Sequence, residues 1–488
     1  MSQTLKSQAV RGFTWTAAEA AMKYGMNFAV LLVLARLLTP AEFGVAALLI
    51  PIKGLAGELI FIGLPAAVVQ KKDITPSQIS TVFWFQSLMA AIVAFAVGLS
   101  GPWVGAFYDH PELDLMLKAT AVSMLIGATS AVPAGQLQRQ LKLKVLAQIN
   151  VCAVVLSGTG AIILAYLGFG PWAIVFQGIL TQLFVATGVL LQRAWRPTFA
   201  FRLKELMEML RFGGFLFGQG LLSLADQRLF GLLIVRQFGF AELGFFNRAS
   251  GLATTPLNAI NQITWRVAFP VFSAVQDQPD RMRRGLRELV RATIALQAPA
   301  MLGVAAVAAP AIEVLFGARW LPAAPLVPAF CIFAVASSLH PALEHALLAL
   351  GRPAVLFRLG VVRSVLYVAA LAIAAPFGLA ALAWSLVAVS LGYLALVVFE
   401  SRRLLGYGFG DFAADVGSPL CFAAAMAGTV AVLEAATVEW LPPLPRLMLG
   451  IASGALVYGL LWAAFDRPSL AALAQLVRSG RTPQREAQ

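Results

Sequence analysis

The residues of this 488-residue chain most able to do chemistry are a few ionisable side chains set in the middle of long apolar runs. Lys23 and Lys53 stand near the midpoints of the first two runs. Asp226 and Arg228 stand near the midpoint of the seventh, and His340 and Glu344 lie one helical turn apart in the tenth. An ionisable group at such depth in a membrane costs on the order of 3 kcal/mol unless it faces a cavity or a partner, so each is a candidate functional residue. The cations Lys53, Arg228 and Lys23 suit a phosphate-bearing or acidic substrate. The amides of Asn27, Gln219, Asn258 and Asn261, with Gln227 and Gln262 nearby, could bond sugar hydroxyls or equally glue helices together. Glu58, Asp226, His340 and Glu344 are the candidates for ion coupling.

Each candidate has a plainer reading. Glu19 and Lys23 are four apart with the acid N-terminal, the favourable helical pairing. Asp226 and Arg228 do not share a helical face and are expected to pair with other helices. His340 and Glu344 either relay a proton or form a local hydrogen-bonded pair. Lys53 has no opposite charge three or four residues away, and Glu58, five away, lies on another part of the helix. That makes Lys53 the strongest single candidate for lining a cavity. Pro51 and Gly54 around it, and Pro256 in the eighth run, can bend helices toward that cavity.

The elements that must position these residues follow from composition. With 60% hydrophobic and 12% charged residues and a mean hydropathy of +0.81, the chain is no soluble globular protein of ordinary surface. Runs of about 20 apolar residues recur along it and lack the alternation of barrel strands. The expectation is an all-α integral membrane protein of about 14 transmembrane helices. The first is read over residues 12–37, the seventh and eighth over 212–237 and 246–270, and the last over 446–465. The first run carries Glu19 and Lys23 and ends in Arg36 and Pro40, so it reads as a span and not as a cleaved signal peptide. Cys152, Cys331 and Cys421 lie in apolar runs with no paired spacing and read as inert packing residues.

A repeat organises the spans. Arg36, Ala41, Glu42 and Gly44 recur 200 positions later as Arg236, Ala241, Glu242 and Gly244, and Arg11 recurs as Arg211. Six spans separate the copies, an even number, so the copies are related by an axis along the membrane normal. Two pseudo-repeated six-helix lobes follow, residues 1–200 and 201–405, with an appended helix pair over 406–466 and a cytoplasmic tail over 467–488. Sorting the basic residues by connection places nearly all on one side, which puts both termini in the cytoplasm. The same sorting accounts for the formal charge of +13 without nucleic acid. The segment 201–211, with Leu203, Leu206, Met207 and Leu210 on one face, and the basic loop from Asp277 to Arg287 read as anchors to anionic membrane lipid.

Catalytic patterns are missing. The sequence holds no GxxxxGK[ST], HExxH or CxxC motif and no acidic cluster, so no catalytic residue, metal or cofactor is expected.

Seven short segments, in order, carry a resemblance. Leu34-Ala-Arg-Leu-Leu-Thr-Pro-Ala-Glu-Phe-Gly44, Thr81-Val-Phe-Trp84, Gly170-Pro-Trp-Ala173, Leu243-Gly-Phe-Phe-Asn-Arg-Ala249, Phe269-Pro-Val-Phe-Ser273, Leu315-Phe-Gly-Ala-Arg-Trp320 and Ala349-Leu-Gly-Arg352 together resemble the Wzx-type polysaccharide-biosynthesis flippases. The closer likeness is to their lipopolysaccharide and exopolysaccharide exporter branch. The resemblance implies the multidrug/oligosaccharidyl-lipid/polysaccharide exporter superfamily and a bacterial inner membrane. It implies alternating-access movement of undecaprenyl-diphosphate-linked oligosaccharide repeat units from the inner to the outer leaflet, driven by a cation gradient. A polysaccharide polymerase and export machinery would be partners. The family's motifs transfer no fixed site residues, so the site rests on the mid-span charges. Two other readings stay open: a cation-coupled small-molecule exporter of the same fold, and a membrane glycosyltransferase or polymerase. The first would be expected to carry acidic cavity residues, and the second a large outer loop with catalytic groups.

Overall fold

The computed structural model describes residues 22–23, 25–62, 64–65, 68, 74–193, 195–207, 209–210, 231–254, 272, 278–350 and 353–465. Among them every regular element is helical, and eleven helices are long and apolar enough to cross a membrane. In chain order the helices are α1 (Gly25–Leu37), α2 (Pro40–Phe61), α3 (Pro76–Phe107), α4 (Glu112–Arg139), α5 (Leu143–Tyr166) and α6 (Trp172–Leu191). Then come α7 (231–238), α8 (240–254), α9 (Pro279–Ala306), α10 (Ala308–Phe316), α11 (Val327–Ala349) and α12 (Pro353–Ala374). The last are α13 (Leu379–Leu405), α14 (Phe409–Thr437) and α15 (Pro443–Phe465). Large apolar side chains such as Phe95, Tyr166, Ile373 and Val432 stand exposed on the helix exteriors, as a lipid-facing surface requires.

Local chemistry starts two of these helices in the same way. Thr39-Pro-Ala-Glu42 and Thr75-Pro-Ser-Gln78 are capping boxes with proline in the first turn. The Thr39 hydroxyl accepts from the Glu42 amide at 3.3 Å while the Glu42 carboxylate accepts from the Thr39 amide at 2.7 Å. Two of the orphan amides at that helix start are thereby satisfied.

The chain divides into two compact units, Met1–Gly244 and Phe245–Gln488. In the first unit, α3 packs along α4, α5 along α6, and α2 against α3 and α4. The repeat has a physical counterpart here. A Cβ on Gly44 would overlap the backbone of Phe240, and one on Gly244 would overlap the backbone of Pro40. The first turns of α2 and α8 therefore cross with no side chain between them. Gly239 occupies the place of Thr39 in the second copy with φ +102, a backbone angle that favours glycine.

The segment after α6 departs from the expected single lipid-facing stripe. Leu206 and Met209 are buried in a cluster with Leu64, Val68, Ile79, Val82 and Val132, and Leu210 packs against it. Leu203 and Met207 are exposed instead. The segment is tied to the start of α3 by Ser80 to Thr198 at 2.8 Å, the Trp84 indole to the Thr198 carbonyl at 2.9 Å, and Ser77 to Glu205 at 2.8 Å.

In the second unit α9 packs along α11 and α14, α11 along α13, and α14 along α15. Arg283 and Arg287, read from sequence as lipid anchors, lie in the first turns of α9 and point to α14. Arg283 donates to Asp411 at 2.6 Å, and the Nε and Nη2 groups of Arg287 grip the Asp415 carboxylate at 3.0 and 2.9 Å. Tyr407, fully buried, donates to Asp415 at 3.3 Å. Burial and the adjacent Asp415 carboxylate push the Tyr407 hydroxyl up, so it remains a neutral donor. Of the cysteines only Cys331 is buried, whereas Cys152 and Cys421 are exposed on the helix surface.

Candidate functional site

Lys53 lies on α2 one turn beyond the buried run Phe43–Leu49 and is half-buried. Its ammonium rests against Gly178 of α6, 3.5 Å from where a Cβ on that glycine would sit. Among the described residues no carboxylate or hydrogen-bond acceptor pairs with it. The carboxylate of Glu58, half-buried on the same helix, is likewise without a partner among the described residues. Lys23, which precedes α1, and Asn27 on α1 are both exposed, and the Asn27 amide donates to the Lys23 carbonyl at 2.9 Å. Gln219, Asp226, Arg228, Asn258 and Asn261, together with Glu19, Gln227, Pro256 and Gln262, lie outside the described residues.

His340 and Glu344 do not bond to each other, because each turns to α13. His340 Nε2 meets the Ser390 carbonyl at 3.2 Å, and Glu344 Oε1 accepts from the Tyr393 hydroxyl at 2.6 Å. The Arg363 guanidinium of α12 stands 3.9 Å from the same carboxylate oxygen and 5.1 Å from the Tyr393 ring centre. The tyrosine and histidine of this network are buried, whereas the Arg363 and Glu344 side chains are each about a quarter exposed.

Arg363 and Tyr393 are absent from the residues singled out by sequence. Arg363 carries a usable signal, since it is an ionisable residue at the middle of an apolar span, the same property that selects Lys53. Tyr393 carries none, because a tyrosine in an apolar helix is ordinary. Among the described residues no group of three or more His, Cys, Asp or Glu side chains could hold a metal ion.

Residues 33–325 match the family model described as polysaccharide biosynthesis protein. The chain belongs to this polysaccharide biosynthesis family. Among curated relatives, the lipopolysaccharide biosynthesis protein WzxC of Escherichia coli K12 is 25% identical over 82% of this chain and 80% of its own length. The succinoglycan biosynthesis transport protein ExoT of Rhizobium meliloti is 24% identical over 98% of both chains. Of solved structures, the lipid II flippase MurJ in an inward closed conformation superposes with a TM-score of 0.76, covering 93% of this chain and 99% of that one at 12% identity. This member of the polysaccharide biosynthesis family therefore has a MurJ-like fold, and the resemblance carried by its short segments is borne out.

Proposed function

We propose that this chain is a flippase that moves undecaprenyl-diphosphate-linked oligosaccharide repeat units from the inner to the outer leaflet of a bacterial inner membrane, for exopolysaccharide or lipopolysaccharide synthesis. The observation that carries the reading is Lys53, a half-buried cation in a membrane helix with no counter-ion among the described residues, in a polysaccharide biosynthesis family member with a MurJ-like fold. An ammonium held in that way is short of an anion, and a diphosphate supplies one. Arg228 and Lys23 complete the basic set, while Asn27, Gln219, Asn258 and Asn261 offer amides to the sugar. The polyprenyl tail stays in lipid. A chain that exports cationic small molecules would be better served by a carboxylate where Lys53 stands.

The finer architecture belongs to the same reading: fourteen transmembrane helices, six-helix lobes over 1–200 and 201–405, an appended pair over 406–466, and both termini cytoplasmic. A polysaccharide polymerase and export machinery are the expected partners. The protein performs no bond chemistry and needs no cofactor. Differential affinity of inward- and outward-open states for the lipid-linked glycan gives net transport, with Glu58, Asp226, His340 and Glu344 as the ion-coupling candidates. The test is movement of a labelled lipid-linked oligosaccharide across liposomes that hold the purified protein.

A further inference from the structure

The strap that follows α6, residues 195–207, turns one apolar side into the protein and another outward. Leu206 is buried with Leu64, Val68 and Val82, while Phe199, Phe201, Leu203 and Met207 are 52–97% exposed. Leu203 and Met207 are four apart on the helical turn that ends the strap, so they share its outer face. Arg196, Arg202 and Lys204 are exposed among these apolar side chains. The single carboxylate of the stretch, Glu205, turns to Ser77 at 2.8 Å and meets Arg202 only at 3.6 Å, which leaves the Arg202 side chain 71% exposed.

The exposed face of α3 shows what covers this patch. Leu88, Ile92, Phe95 and Leu99 recur at helical spacing and are each more than half exposed, so in a bilayer they face acyl chains. Trp84 continues that face one turn before Leu88. Phe199 of the strap stacks on it, with ring centres 5.4 Å apart and planes 18° apart. The midpoint of α3 falls near Ile92. With α3 centred in the bilayer, Trp84 stands roughly 12 Å and Ser77 roughly 22 Å from the midplane. Half of a hydrocarbon core is about 15 Å, and the headgroups lie just beyond it. The strap is bonded to α3 at Ser77, Ser80, Thr81 and Trp84, so it is mounted at headgroup level.

We propose that residues 195–207 are an interfacial binding strap for anionic phospholipid. Phe199, Phe201, Leu203 and Met207 enter the acyl boundary, and Arg196, Arg202 and Lys204 take headgroup phosphates. Apolar and aromatic side chains interspersed with cations suit that boundary, and the attraction of the cations to an anionic surface weakens with salt. Because the strap is already fixed to α3, little freedom is lost when lipid binds. The apolar side chains, level with the end of a lipid-facing stripe, favour lipid over a soluble acidic partner. The proposal needs only that the chain spans a membrane, and stands apart from the flippase reading.

The test uses the full-length protein in vesicles, with the exposed Cys152 and Cys421 replaced by serine and a single label site introduced as Leu203→Cys or Met207→Cys. A spin label at either site should collide with oxygen more than with a water-soluble nickel chelate. A bimane there should be quenched about threefold more by spin-labelled phosphatidylglycerol than by spin-labelled phosphatidylcholine at equal content, and the excess should fall with salt. Arg196→Gln, Arg202→Gln and Lys204→Gln combined should bring that ratio to about one while the label stays in lipid. Labels that meet the nickel chelate instead of oxygen would overturn the proposal and give this face to a soluble partner. An equal ratio without the glutamine substitutions, or an excess that survives all three, overturns it as well.

Discussion

Gly44 and Gly244, 200 positions apart, each rest on the first turn of the helix that carries the other. Pro40 and Phe240, the residues they touch, are separated by the same offset. The contact is therefore reciprocal, as a local two-fold relation between duplicated segments demands. Because the obstacle at each site is backbone, an added methyl cannot be relieved by a rotamer change. Gly44→Ala and Gly244→Ala should each destabilise the protein by about 1–3 kcal/mol. The double variant should cost less than the sum, since both relax the same crossing. Thermal unfolding of the purified variants in detergent checks this, and a neutral Gly44→Ala would contradict it.

Beside that crossing, Tyr108 donates to the Leu232 carbonyl at 3.0 Å, while Asp109 and Arg236 stand 3.9 Å apart with both side chains largely exposed. Burial pushes the Tyr108 hydroxyl up, so the bond persists at every physiological pH. Tyr108→Phe should cost about 1 kcal/mol. Asp109→Ala should leave the melting temperature unchanged, because an exposed pair at that distance is screened. A loss from Asp109→Ala larger than that from Tyr108→Phe would reverse this ranking.

The Arg287 to Asp415 pair behaves differently, since the carboxylate is 5% exposed and receives two guanidinium bonds. Asp415→Ala should destabilise by about 3 kcal/mol, the low end for a buried pair because Arg287 is itself partly exposed. Replacing the buried set with apolar residues, Arg287→Met with Asp415→Leu and with Tyr407→Phe so that no hydroxyl is left without its acceptor, should recover most of that loss. A combined variant no better than Asp415→Ala would show that Arg287, Asp415 and Tyr407 do not account for the cost.

Much of the architecture is legible in the amino-acid sequence, and the reasons are physical. Long apolar runs have few alternatives in a bilayer, so the all-helical fold follows from hydropathy alone. The offset of 200 is equally open to reading. What escapes is every feature that depends on which face of a helix meets a neighbour. Arg287 looks like one more cation in a basic loop until α14 brings Asp415 to it. His340 and Glu344 share a helical face, yet both prefer partners on α13. Leu206 and Leu203 belong to one apparent stripe, yet only the first is buried.

For Lys53, loss of charge should be felt in transport and not in folding. Lys53→Gln should cut transport at least tenfold with an unchanged melting temperature, and Lys53→Arg should retain part of the activity. Gly178→Glu offers a test from the facing helix, because a carboxylate there would neutralise Lys53 in place. Its transport should fall like that of Lys53→Gln, and adding Lys53→Gln to it should cause little further loss.

The most direct measurement is transbilayer movement of a fluorescent undecaprenyl-diphosphate oligosaccharide in liposomes, comparing the wild-type protein, Lys53→Gln and protein-free vesicles, each with and without a proton gradient. The account predicts movement with wild type well above protein-free vesicles, and near-background movement with a folded Lys53→Gln. Wild-type liposomes that match protein-free vesicles across several glycans would contradict it.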